Sequence, residues 1–82
     1  MAYTNERLTK IWDKGATVKG KNPNLYRKDC YGNLMYKSSY GLFSKMGWNV
    51  DHSKAVANGG TDHLNNLNPM NSRANSAKGK SR

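Results

Sequence analysis

Apolar side chains come in short, widely spaced groups along this chain, and their spacing sorts it into elements. Leu8, Ile11 and Trp12 stand three and four residues apart and make one stripe of a helix. Thr4 or Asn5 is placed to cap that helix, which is expected to run through Lys14 and stop at Gly15. Lys19 to Asn24, KGKNPN, has the composition of a loop. Arg27 to Lys37 carries two apolar-rich pieces around Gly32-Asn33, a dipeptide that tolerates positive φ and predicts a two-residue hairpin turn. Trp48 and Val50 alternate with Asn49 and Asp51 as on a half-buried strand, and Ala55 to Ala57 is expected to supply the antiparallel return before Asn58-Gly59-Gly60. Thr61 then caps a short helical turn that faces Leu64 and Leu67 inward.

A last helix is predicted to end at Gly79, and two starts fit it. One has Asn68 as cap with Pro69 in the first turn; the other has Asn71 or Ser72 as cap. Either start leaves Asn71, Asn75 and Lys78 close to one face, because these positions are three or four apart. The order predicts a small single α+β domain over residues 1–82, with an N-terminal helix, a β-hairpin and a compact ββα unit at about 46–80. Residues 79–82 read as a basic tail.

Composition narrows the class. A chain of 82 residues buries about 60% of its unfolded surface, which excludes a two-domain machine. Mean hydropathy is low at −0.96, yet two Trp, five Tyr and one Phe suffice for a small core. No apolar run exceeds three residues, against the roughly 20 that span a bilayer, so a soluble chain with no signal peptide and no membrane partner is expected. The lone Cys30 excludes an intramolecular disulfide and a four-thiolate zinc site, and fits an intracellular location. It reads as a small half-buried hydrophobe.

Charge points to a partner. Lys and Arg number 14 against 5 acids, a net charge of +9, and the acids end at Asp62 while Arg73, Lys78, Lys80 and Arg82 follow. Such an excess suits a polyanion, and no long amphipathic stretch favours a membrane.

The residues that carry chemistry lie near the C-terminal half. Asp51-His52 ends a strand, Asn66 follows a Gly-Gly loop, and Asn75 and Lys78 sit on the helix that folds back. Together they offer a carboxylate, an imidazole, an amide oxygen and a cation. Phosphodiester hydrolysis needs an activated water, neutralised charge on the nonbridging oxygens and help for the departing oxygen. His52 can accept a proton near neutral pH, with a reference pKa of about 6.5. Asp51 and Asn75 are hard oxygen ligands that favour Mg or Mn with waters retained. Lys78 lies one turn from Asn75 and can reach a phosphate.

The stretch GWNVDHSKAVANGGTDHLNNLNPMNSRANSAKGK resembles the ββα-metal (His-Me finger) motif of HNH endonucleases, in its HNN variant. The spacing is 14 residues from His52 to Asn66 and 9 from Asn66 to Asn75. The same pattern occurs in the HNH domain of RNA-guided CRISPR effector nucleases, and IWDKG, LYRKDCYG and SSYG also resemble short stand-alone bacterial and phage HNH proteins. The resemblance implies a DNA endonuclease needing one divalent cation, Mg or Mn, with no structural zinc. In it His52 is the general base, Asp51 and Asn75 bind the ion, and Asn66 braces the loop that aims His52. Asn75 stands where many relatives carry His, and keeps an oxygen ligand. Lys78 assists at the phosphate, and Arg27, Lys54, Arg73, Lys78 and Lys80 are the cations offered to double-stranded DNA. His63 reads as exposed beside Asp62 rather than as a ligand. One active site implies nicking by a monomer or weak homodimer with weak sequence preference. The rival reading is a non-catalytic nucleic-acid binder of the same shape, since charge alone produces binding.

Overall fold

The structure is a computed structural model that describes residues 3–80, and the side chains of residues 3–77. Its elements are α1 (Asn5–Trp12), β1 (Tyr26–Lys28), β2 (Leu34–Tyr36), β3 (Trp48–His52), β4 (Leu67–Asn71) and α2 (Ser72–Lys80). Two helices and two two-stranded antiparallel sheets, β1-β2 and β3-β4, make a small α+β protein.

Thr4 caps α1, its hydroxyl accepting the Arg7 N–H at 3.2 Å. The helix ends at Trp12 rather than Lys14. Lys14 and Gly15 instead close short bonds to the carbonyls of Ile11 and Trp12, so that Ala16 can bridge to Lys28 of β1. Gly15 fits closely there: a β-carbon would sit 3.2 Å from Arg27 Cβ, Lys28 O and Trp12 O, tighter than most such contacts. The predicted stripe is the core-facing one, with Ile11 and Trp12 fully buried and Leu8 packed against them.

The β1-β2 turn is longer than the two residues expected. Asp29 begins it, Asn33 ends it, and Gly32 supplies a φ of +83°. The Asp29 carboxylate, only 3% exposed, organises this loop by accepting the N–H groups of Tyr31 and Asn33 and the Asn33 side-chain amide. With Asp29 turned inward, its neighbour Cys30 is exposed, not half-buried as expected.

Met35, Trp48 and Leu67 complete the core with Ile11 and Trp12. The two indoles meet at 5.1 Å between ring centres, and each ring N–H is satisfied by a carbonyl, of Pro23 for Trp12 and of Lys37 for Trp48. Gly47 allows the chain to enter β3 beside Leu42, since a β-carbon would fall 1.9 Å from the Leu42 carbonyl oxygen.

The strand that returns against β3 is Leu67–Asn71, not Ala55 to Ala57. Trp48 pairs with Asn71, Val50 with Pro69 and His52 with Leu67. Val56–Asn58 forms a short 3-10 turn, with Val56 exposed, and Leu64–Asn66 forms a second. The physical reason is area: pairing through β4 buries Leu67 and Met70, whereas two alanines and one valine have little to bury. Pro69 is tolerated because β4 has a strand neighbour on one side only.

Asn71 decides the start of α2. Its side-chain oxygen accepts the N–H groups of Arg73 at 3.0 Å and Ala74 at 3.2 Å, so Asn71 is the cap and Asn68 and Pro69 belong to the strand. The helix runs through Gly79 to Lys80, one residue past the expected end, and packs back over β3 and β4. Ser81 and Arg82 of the expected basic tail lie outside the described residues.

Candidate active site

Side chains alternate along β3, and this sorts the site residues between two faces. Trp48 lies in the core and Val50 packs against it; His52 shares their parity. Asn49 faces the other way, its amide donating to the Ser72 hydroxyl at the start of α2 at 2.8 Å. Asp51 shares the parity of Asn49, and Asn75 stands one helical turn beyond Ser72. Asp51 thus lies on the face of β3 that meets Ser72, and Asn75 lies one turn along α2 from that contact; both are half-buried.

His52 is the last residue of β3, where the chain leaves the sheet for the glycine loop. Its Nε2 lies 2.7 Å from Asp62 Oδ1, with side-chain exposures of 22% and 41%. Sequence pattern marks Asp62 only as the last acid of the chain and the neighbour of His63. The one hint of its role was its place ten residues after His52, across a loop containing Gly59-Gly60.

Asn66 closes that loop. Its side-chain oxygen accepts the Lys54 N–H at 2.8 Å, while its amide donates to the carbonyls of Thr61 at 2.7 Å and Lys54 at 3.2 Å. Its own carbonyl takes the Ser53 N–H at 2.9 Å. Both ends of the loop are thus held by one side chain. Gly60 is required at the closure, because a β-carbon would meet the Lys54 carbonyl oxygen at 1.8 Å.

Helix α1 and the turn that follows it grip the same segment. Arg7 donates to the Asp62 carbonyl, and the Lys14 ammonium donates to the carbonyls of Leu64, at 2.6 Å, and Leu67. Tyr3 lies in this neighbourhood. Burial pushes its phenol above the ordinary tyrosine value, the Asp62 carboxylate and Tyr40 push in the same direction, and Arg7 pulls the other way.

The cations expected at DNA separate into two groups. Arg27 is half-buried, its guanidinium donating to the carbonyls of Pro23, Asp13 and Gly15 at 3.0, 3.0 and 2.8 Å and standing 3.8 Å from the Asp13 carboxylate. Those bonds tie the α1 exit to β1, so a phosphate has to compete with them. Lys54 and Arg73 are exposed, and Arg73 lies over the exposed Phe43 ring while donating to the Phe43 carbonyl. Lys78 and Lys80 are on α2, and their side chains lie outside the described residues. His63 is exposed beside Asp62, as expected.

No family model, curated protein or solved structure matches the chain. Among the described residues no three of His, Cys, Asp and Glu gather into a metal-binding group. The Asp51 carboxylate and the Asn75 amide oxygen remain, a pair of hard donors. Such a pair fits an oxygen-preferring divalent cation that keeps most of its shell as water or substrate oxygen, and does not fit a closed thiolate or imidazole cage. No helix among the described residues is long and apolar enough to cross a membrane.

Proposed function

We propose that this protein is a divalent-metal-dependent DNA endonuclease with β3, β4 and α2 as a ββα-metal core of the HNH type. The observation that supports this reading is that Asp51 and His52 end β3, whose Asn49 on the same face as Asp51 bonds to Ser72 of α2, one turn before Asn75. In this reading the phosphodiester crosses the C-terminal end of β3, where Asp51 and His52 are neighbours on opposite faces of the strand. His52, partly exposed there, takes the proton from the attacking water. Asn66 holds the ends of the loop that follows His52, and Asp51 and Asn75 supply the oxygen donors for Mg or Mn. The cation, when bound, stabilises charge developing on the phosphate and on the departing oxygen. Lys54 and Arg73 are exposed for the flanking phosphates, with Lys78 and Lys80 further along α2.

The charge of +9 supports a duplex partner through its phosphates, which carry no base sequence, so weak sequence preference follows. One such site cuts one strand. Supercoiled plasmid incubated with Mg or Mn is expected to become open circle before linear DNA appears, and a chelator is expected to stop the reaction. His52→Ala is expected to keep DNA affinity and lose about 10² to 10⁴ in rate, the usual worth of a general base. Retention of the wild-type rate in that variant would remove His52 from the chemistry. Binding without metal-dependent cleavage by the wild type would leave the non-catalytic binder.

A further inference from the structure

The His52 ring is in hydrogen-bond contact with an acid from the far side of the glycine loop. We propose that Asp62 is the positioning residue for His52: its carboxylate accepts a hydrogen bond from Nε2–H, holds the ring in one orientation, and leaves Nδ1 as the nitrogen that takes the proton from water. The inference rests on the reading of His52 as the base.

Three observations carry it. The Nε2 to Oδ1 separation is 2.7 Å, the length of a well-formed charge-assisted bond. The nitrogen so engaged is unavailable to substrate, and in a neutral imidazole a donor Nε2 makes Nδ1 the acceptor. Asp62 is also held from behind: Arg7 donates to its carbonyl, Lys14 grips the carbonyls of Leu64 and Leu67, and Asn66 fixes Thr61. A carboxylate anchored through its own backbone can fix a ring, whereas a carboxylate on a free loop would follow it. This assigns α1, which lies outside the strand–strand–helix unit, a part in the catalytic geometry.

The test uses the full chain with Asp62→Ala and the near-isosteric Asp62→Asn, measuring plasmid nicking and the nitrogen-15 spectrum of the neutral His52 ring. In the wild type the ring is expected as a single Nε2–H tautomer whose proton exchanges slowly with water. In Asp62→Ala that proton is expected to exchange rapidly, the ring to average between tautomers, and kcat to fall about 10- to 100-fold, as for a lost orienting partner of a ligating histidine. KM for DNA and the affinity for Mn are expected to stay unchanged. Asp62→Asn, which still offers an oxygen to Nε2–H, is expected to recover part of both readouts. Wild-type kcat in both Asp62 variants, or an unaltered tautomer in Asp62→Ala, overturns the assignment. If His52→Ala is inactive in the same assay, that failure belongs to Asp62 alone; if His52→Ala is fully active, the base reading and this one fall together.

Discussion

Replacing Asn71 tests how far the site depends on a single buried amide. This side chain, 6% exposed, has three tasks: its oxygen caps α2, and its amide donates to the Leu34 carbonyl at 3.0 Å and the Lys45 carbonyl at 2.9 Å. Its backbone N–H, moreover, donates to Asp29 Oδ2 at 3.1 Å, tying β4 to the hairpin loop. In Asn71→Ala the lost cap costs about 1 kcal/mol. Each lost buried bond costs about 1 kcal/mol more. The total of about 3 kcal/mol is a large share of the roughly 4 to 12 kcal/mol that a chain of this size has. It corresponds to a fall in Tm of roughly 12 to 24 °C. Asn71→Asp separates the tasks. Aspartate is as good a cap as asparagine, but it turns an oxygen toward two carbonyls and sets a second carboxylate beside Asp29. It is therefore expected to be no more stable than the alanine variant, while Asn71→Ser, which keeps a cap and loses the bridge, falls between alanine and wild type. Equilibrium urea unfolding measures all three. An aspartate variant within about 0.5 kcal/mol of wild type, beside a destabilised alanine variant, would show that the bridging amide contributes nothing and would refute the reasoning.

Other outcomes follow from the same geometry. Asp51→Ala and Asn75→Ala are expected to weaken Mn or Mg binding in calorimetry while His52→Ala does not; unchanged affinity in Asp51→Ala would take that carboxylate out of the metal site. Affinity for nonspecific duplex should fall with salt at a log–log slope of about −0.9 for each phosphate neutralised, and a flat dependence would contradict a phosphate-directed surface. Tyr3 gives an alkaline signature: burial first, then Asp62 and Tyr40, raise its folded-state pKa. The folded chain holds that proton more tightly than the unfolded one, so this stability is present below the unfolded value of about 10 and is lost as pH rises through the folded value. Tyr3→Phe should flatten the alkaline loss, and superimposable stability–pH curves for the two proteins would count against it.

Sequence alone determined the features that depend on near neighbours. The α1 stripe, the alternation of β3 and the pair of short strands around Gly32 each report an element's own buried face, and residues two to four apart carry that information. The candidate site was legible for the same reason: Asp51-His52 marks a strand end, and the distances to Asn66 and Asn75 count out a loop and a return. Tertiary structure alone decided which segment pairs with β3. Ala55 to Ala57 reads as the return strand and Asn68-Pro69 as a possible helix start, yet Leu67 to Asn71 takes the place beside β3 because Leu67 and Met70 bury apolar area against distant partners. It alone turned Arg27 inward, where carbonyls of an adjacent turn fill its donor fork. It alone brought the Asp62 carboxylate to the His52 ring, because that contact requires the loop between them to be closed by Asn66 and held by Arg7 and Lys14. Local periodicity carries no record of such closures; they exist only when elements far apart in the chain have packed.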